Sequence, residues 1–287
     1  MAVQNSLQRS RGNQRLGISA YLTADAVKNQ INQVVGGKDG QRFISAIVSA
    51  VNTNPALQEC TNQSILSGAL LGESLKLSPS PQLGQYYLVP FNDRNKGKVA
   101  QFQLGYKGYI QLAIRSGQYK KLNVLAIKEG ELIRFDPLNE EIEVRLIEDE
   151  EAREQATTIG YYAMFEYTNG FRKAIYWSKR KMEAHALKYS KGYQAKKGYT
   201  FWEKDFDGMA YKTMLRQLIS KWGIMSIDMA SAIDSDMAVI NEDGTKDYVD
   251  NDDALFDMEP LQETAPLQSQ PEPAAPVDAK AALFGNN

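Results

Sequence analysis

The chain has 287 residues, 43% apolar and 24% charged, with a net charge of −2 and a single cysteine. That length supports one large domain or two small ones, and Cys60 alone excludes an intrachain disulfide, so it reads as a small buried residue of a cytoplasmic protein. No apolar run reaches the roughly 18 residues of a membrane helix, and MAVQNSLQRSRGNQR lacks the apolar centre of a secretory signal.

The small net charge hides an asymmetry. From Asn241 onward 11 acidic residues face two basic ones, a charge of −9, while residues 1–240 hold 31 basic and 24 acidic residues, a charge of +7. A basic body with an acidic tail fits a protein that binds polyanions and regulates that binding, or one with a solubilising extension.

In chain order, residues 1–20 show no apolar period and hold Arg9, Arg11 and Arg15, which predicts a flexible basic arm. FISAIVSAV (43–51) has helical spacing, and SILSGALLGESLKL predicts a second helix with Thr61 or Asn62 as N-cap. The period then changes to two. QYYLVPF (85–91) and VAQFQLGY (99–106) predict a hairpin, followed by a short helix over Lys107–Ser116 that ends at Gly117. KLNVLAIKEG and EIEVRLIED read as strands, with Glu148, Asp149 and Glu150 as a turn. TIGYYAMFEYTNGFRKAIYW predicts a hairpin closed by a type I′ turn at Asn169-Gly170. Ser178 predicts the N-cap of the next helix, and a last helix runs from about Phe206 to Trp222. Residues 241–287, acidic and then rich in Pro, Ala and Gln, predict a disordered tail. The expectation is an α+β protein with a mostly antiparallel sheet, hairpins and flanking helices, its core spanning residues 21–240.

Basic residues and rings concentrate in two places. GYKGYIQLAIRSGQYKKL (105–122) carries Lys107, Arg115, Lys120 and Lys121 with Tyr109 and no acid. Residues 171–202 hold nine cations, Arg172, Lys173, Lys179, Arg180, Lys181, Lys188, Lys191, Lys196 and Lys197, against Glu183 alone. Trp177 and Trp202 stand among other rings there. A cationic track supplied with stacking rings is what sequence-tolerant binding of single strands needs. Against this, rings in a hairpin often form core and helical lysines often face solvent. GYQAKKGY, with a glycine near each end, reads as a mobile loop that orders on its ligand. On the last helix Phe206, Met209, Ala210, Thr213, Met214 and Leu218 make an apolar stripe, and Lys212 and Arg216 lie on another side, as a solvated pair or as phosphate contacts.

Catalytic constellations are missing from the pattern. Neither Gly37-Lys38 nor Gly97-Lys98 belongs to a GxxxxGK[ST] loop, which argues against ATP-driven strand exchange. One His185 and one Cys60 cannot supply a usual zinc site. Glu148, Asp149 and Glu150 are consecutive, while Asp228, Asp234 and Asp236 read as the approach to the acidic tail, so neither group gathers catalytic metal ions.

LKLSPSPQLGQYYLVPF (75–91), FQLGYKGYIQLAIRSGQYKKL (102–122) and FWEKDFDGMAYKTMLRQLISKWGIMS (201–226) together resemble the RecT family of phage recombinases. The likeness spans residues 43–226, with Ile224 standing where relatives often have proline. It implies ATP-independent annealing of single-stranded DNA in the bacterial host cell, rings or helical filaments of protomers, and a partner exonuclease. It also implies that the 105–121 stretch and Lys212, Thr213 and Arg216 belong to the DNA-binding core. No cofactor is expected, magnesium entering only as an ion that could aid DNA binding. The tail is expected to compete for the basic groove or to dock on a host single-strand-binding protein through DDALFDM (252–258). The main alternative is a passive single-strand-binding protein, and a metal-dependent nuclease or a structural phage protein are further ones.

Overall fold

A computed structural model describes residues 16–36, 39–93, 96–198 and 200–248. Helices α1 (Ile18–Thr23), α2 (Asp25–Val35), α3 (Gly40–Thr53) and α4 (Asn62–Ser74) precede the hairpin β1 (Tyr86–Asp93) and β2 (Gly97–Leu104). Helix α5 (Tyr106–Arg115) leads to β3 (Tyr119–Lys128), the hairpin β4 (Leu132–Asp136) and β5 (Glu141–Val144), and α6 (Glu150–Gln155). Strands β6 (Thr158–Tyr167) and β7 (Arg172–Ser178) are followed by α7 (Lys179–Tyr189), α8 (Lys191–Gln194), α9 (Phe201–Lys204) and α10 (Phe206–Trp222). Helix α11 (Ile227–Ser235), β8 (Ala238–Ile240) and β9 (Lys246–Tyr248) close the described chain.

The strands form sheets ordered β1-β2-β8-β9, β3-β6-β7 and β4-β5, and every described pairing is antiparallel. The α+β expectation holds. Helix α10 starts and stops where the apolar stripe put it, and Thr61 and Ser178 cap their helices by accepting from the Ser64 and Lys181 N–H groups. These hydroxyls satisfy first-turn donors that would otherwise lack partners.

Two apolar cores flank α10. Leu215 and Ile219 belong to the first, with α3, α4, α5 and the first sheet; Ala210, Met214 and Leu218 belong to the second, with Tyr161, Phe165 and Trp202. Burying each large apolar side chain of this kind contributes about 1.5–3 kcal/mol. The opposite face of the β3-β6-β7 sheet, with Ile127, Tyr162 and Met164, is covered by Leu132, Ile142 and Val144 of the β4–β5 hairpin.

Several expectations need correction. The arm predicted for residues 1–20 already contains the start of α1, where Leu22 is fully buried and the Tyr21 hydroxyl donates to Gln63 at 2.7 Å. The tail predicted from 241 contains β9, which pairs with β8. Residues 1–15 and 249–287 lie outside the described residues. The β6–β7 hairpin is present, but its turn is not type I′. Gly170 alone has a positive φ (89°), Asn169 does not, and the Gly170 N–H donates to the Tyr167 carbonyl at 3.0 Å. That is a type I turn followed by a left-handed glycine, the three-residue alternative. The expected Glu148–Glu150 turn is instead the start of α6, with Asp149 accepting from the Ala152 N–H at 2.7 Å.

A buried carboxylate anchors the β4–β5 hairpin. Glu131 is fully buried and accepts from the Lys128 N–H at 2.7 Å, the Ile147 N–H at 3.2 Å and Arg153 Nε at 2.6 Å. Burial pushes its carboxyl up, but the Arg153 bond and the two N–H groups outweigh that and hold it below the ordinary value. A carboxyl lowered in the folded state adds stability above its unfolded value of about 4.3, and that stability is lost as pH falls through the folded value. Glu131→Gln is therefore expected to cost about 3 kcal/mol at neutral pH and to flatten the acid side of the melting curve. Identical acid slopes in melts of the two proteins from pH 7 to 3 would contradict this role.

Candidate nucleic-acid interface

Helix α5 begins against the 80–85 turn at a separation only glycine allows. A Cβ on Gly105 would stand 2.1 Å from the Gly84 carbonyl oxygen, and one on Gly108 would stand 2.1 Å from that of Gln85. The GYKG spacing thus packs backbone on backbone, leaving Lys107 exposed between the two glycines with its stem alongside Gly84. Beside it, the Tyr87 ring lies 5.6 Å from Phe201 at the start of α9. Two stretches far apart in sequence therefore meet at one corner.

The rest of the 105–122 stretch is engaged within the protein. Tyr109 is fully buried, a core ring with its hydroxyl beside Arg216 and Asp236, and so has no face to offer a base. Leu112 and Ala113 pack inward, but Ile114 is exposed. Arg115 donates to the Leu75 carbonyl at 2.5 Å and closes the end of α4. Lys120 and Lys121 reach the same carboxylate, Glu166, at 2.6 and 3.6 Å. Consecutive strand residues normally point to opposite faces; an irregular register between Tyr119 and Lys121 lets both lysines face Glu166.

The interleaving of rings and cations over 171–202 resolves into inside and outside. Trp202 is buried against Phe206 at 5.1 Å, and Trp177 carries His185 on one side and the Lys181 ammonium 4.3 Å from its ring centre. Lys173 is buried, its ammonium 3.5 Å over the Trp222 ring and paired with Glu140, so it is no surface cation. Arg172, Arg180, Lys181, Lys188, Lys191, Lys196 and Lys197 are exposed and Lys179 is half-buried. The expected mobile loop is folded back on α9: Glu203 accepts from the Gly198 N–H at 2.8 Å, the Thr200 N–H at 3.0 Å and the Thr200 hydroxyl at 2.7 Å. Those bonds, the hydroxyl first, hold the Glu203 carboxyl below its usual range. Tyr199 lies outside the described residues.

Helix α10 shows what the sequence reading missed. Lys212 and Arg216 form neither a solvated pair nor a bare phosphate site, because both bind Asp236, whose side chain has no exposed surface. Asp236 Oδ1 accepts from Lys212 Nζ at 2.9 Å and from the Leu104 N–H at 2.9 Å, and Oδ2 accepts from Arg216 Nη1 at 2.7 Å. Burial lowers the Lys212 ammonium, and Asp236 opposes it. Thr213 is buried and donates to the Met209 carbonyl at 2.9 Å. Read as the approach to the tail, Asp236 carried one signal: the apolar run Met237–Ile240 follows it directly.

Among the described residues, no group of three or more His, Cys, Asp or Glu could hold a metal ion, and no helix is long and apolar enough to cross a membrane. The RecT family model matches residues 41–252, from α3 past the described end of β9. This chain belongs to the RecT family. It is 37% identical over 294 aligned positions to "Uncharacterized protein YqaK" of Bacillus subtilis (strain 168), covering 97% of this chain and 96% of that protein. It is 27% identical over 240 positions to "Protein RecT" of Escherichia coli (strain K12), covering 80% of this chain and 86% of that protein. Membership of the RecT family supports a role in phage-type recombination by single-strand annealing, and the matched region contains Asp236 and β8, at the edge of the predicted core, and β9, which the sequence reading had placed in the tail.

Proposed function

We propose that the protein binds single-stranded DNA and pairs complementary strands without nucleotide hydrolysis, several protomers acting side by side on one strand. The RecT match over residues 41–252 carries this reading. The geometry supports it through exposed cations. In the proposal Lys107, Arg172, Lys179, Arg180, Lys181, Lys188, Lys191, Lys196 and Lys197 meet phosphates, whereas Lys173, Lys212, Arg216 and Tyr109 hold the frame. Annealing requires no bond chemistry, only a strand held extended with its base edges available. Each protomer contributes a few phosphate contacts, and a shared register adds them along the strand. A partner exonuclease that exposes the strands and a host single-strand-binding protein complete the proposal.

The test is the pairing rate of two complementary fluorescent oligonucleotides with protein and no nucleoside triphosphate, against non-complementary strands. The expected result is a large acceleration confined to complementary strands, weakening steeply between about 50 and 200 mM salt as counterion release demands. Binding without acceleration would leave a passive strand-coating protein and end the annealing reading.

A further inference from the structure

The β4–β5 hairpin and α6 form the most acidic stretch of the described core. Residues 129–154 hold 11 acidic and three basic residues, a charge of −8, and the remainder of residues 1–240 then holds 28 basic and 13 acidic residues, a charge of +15. The same stretch displays apolar side chains to solvent: Leu138 at the tip is 89% exposed, Ile133 is 52% exposed, and Leu146 lies exposed just beyond β5. Exposed apolar side chains spread along one acidic hairpin give it anchors for a protein partner.

These side chains are displayed on a fixed mount. Asp136 accepts from the Leu138 and Asn139 N–H groups at 3.0 and 3.2 Å, which fastens the tip, and Glu131 with Arg153 fastens the base. Along β4 Leu132 packs inward and the next residue, Ile133, is exposed, as strand alternation requires. Glu141 and Glu143 are exposed and have no ion pair among the described residues.

We propose that this hairpin is a self-association element that docks on the basic body of a second copy of the chain. Charge selects the occupant: a surface of −8 with apolar anchors calls for a basic, partly apolar partner, and this chain supplies a body of +15. Charge also selects the geometry. A contact of hairpin on hairpin would set like charges together, so the hairpin meets a different, basic surface of the neighbouring copy. The inference rests on the reading that protomers act side by side on one strand, and it names the surface that joins them.

The test compares full-length wild type with two double variants, Ile133→Ser/Leu138→Ser and Glu141→Lys/Glu143→Lys, by mass photometry with and without a long single strand. The wild type is expected to form multi-protomer species, and each variant to lose the assembled fraction by about tenfold or more. Melting temperature and affinity for an oligonucleotide short enough for one protomer should stay at wild-type values. If the serine variant melts lower, the charge-reversed one, altered only at exposed positions, decides the matter. Unchanged size distributions in a folded variant overturn the proposal and assign the hairpin to a different protein, and a wild type that stays a single protomer on DNA overturns it as well. A wild type that assembles through the hairpin yet fails to speed pairing would instead sink the annealing reading and leave the interface standing.

Discussion

Asp236→Ala will destabilise the protein by about 3–5 kcal/mol, the cost of leaving buried charges without their counterion. The effect is large because one carboxylate serves three donors from two distant parts of the chain: Lys212, Arg216 and the Leu104 N–H. Lys212 has almost no water to replace its partner, whereas Arg216, 37% exposed, can turn outward. The penalty therefore resides mainly in Lys212. Adding Lys212→Met to Asp236→Ala should recover a substantial part of the loss, because the second change removes the stranded charge. Urea unfolding of the two single variants and the double variant measures the coupling. A cost below about 1 kcal/mol for Asp236→Ala, or strict additivity in the double variant, would show that the three groups do not act as a unit.

The second large effect reverses a familiar sign. Glycine in an exposed helix interior is worse than alanine by about 1 kcal/mol, so Gly108→Ala would ordinarily stabilise α5. Here the added methyl would stand 2.1 Å from the Gln85 carbonyl oxygen and 2.8 Å from Leu104 Cδ1. The first neighbour is backbone and cannot rotate away. A loss of about 2–3 kcal/mol is expected, from displacement of the 80–85 turn. Because the stem of Lys107 lies along that turn, single-strand affinity should fall together with the melting temperature. A variant that melts higher than wild type would refute the close approach.

How much was legible depended on sequence separation. The caps Thr61 and Ser178, the β6–β7 pairing and the full extent of α10 are written in residues a few positions apart, and all were found. The Asp236 centre was not, since its partners lie 20, 24 and 132 positions away and local pattern carries no information about them. Strands β8 and β9 were missed for a related reason: three residues each is too short for a period, and only β2 and the neighbouring turn define them. Rings and cations were correctly seen to alternate over 171–202, but alternation along a chain does not say which members face inward. Trp202 and Lys173 went inside because α10 and its end supply Phe206 and Trp222 as neighbours. The family resemblance rested on whole motifs, so it survived these local errors.

Helix α10 gives its Leu215 and Ile219 to one core and its Met214 and Leu218 to the other. Neither core can open alone without uncovering part of this helix. Its central amide hydrogens are thus covered from both sides, and they are expected to exchange with solvent among the slowest in the protein. The segment that bears Lys212 and Arg216 is therefore a joint between the two cores, and a substitution in it is felt by both.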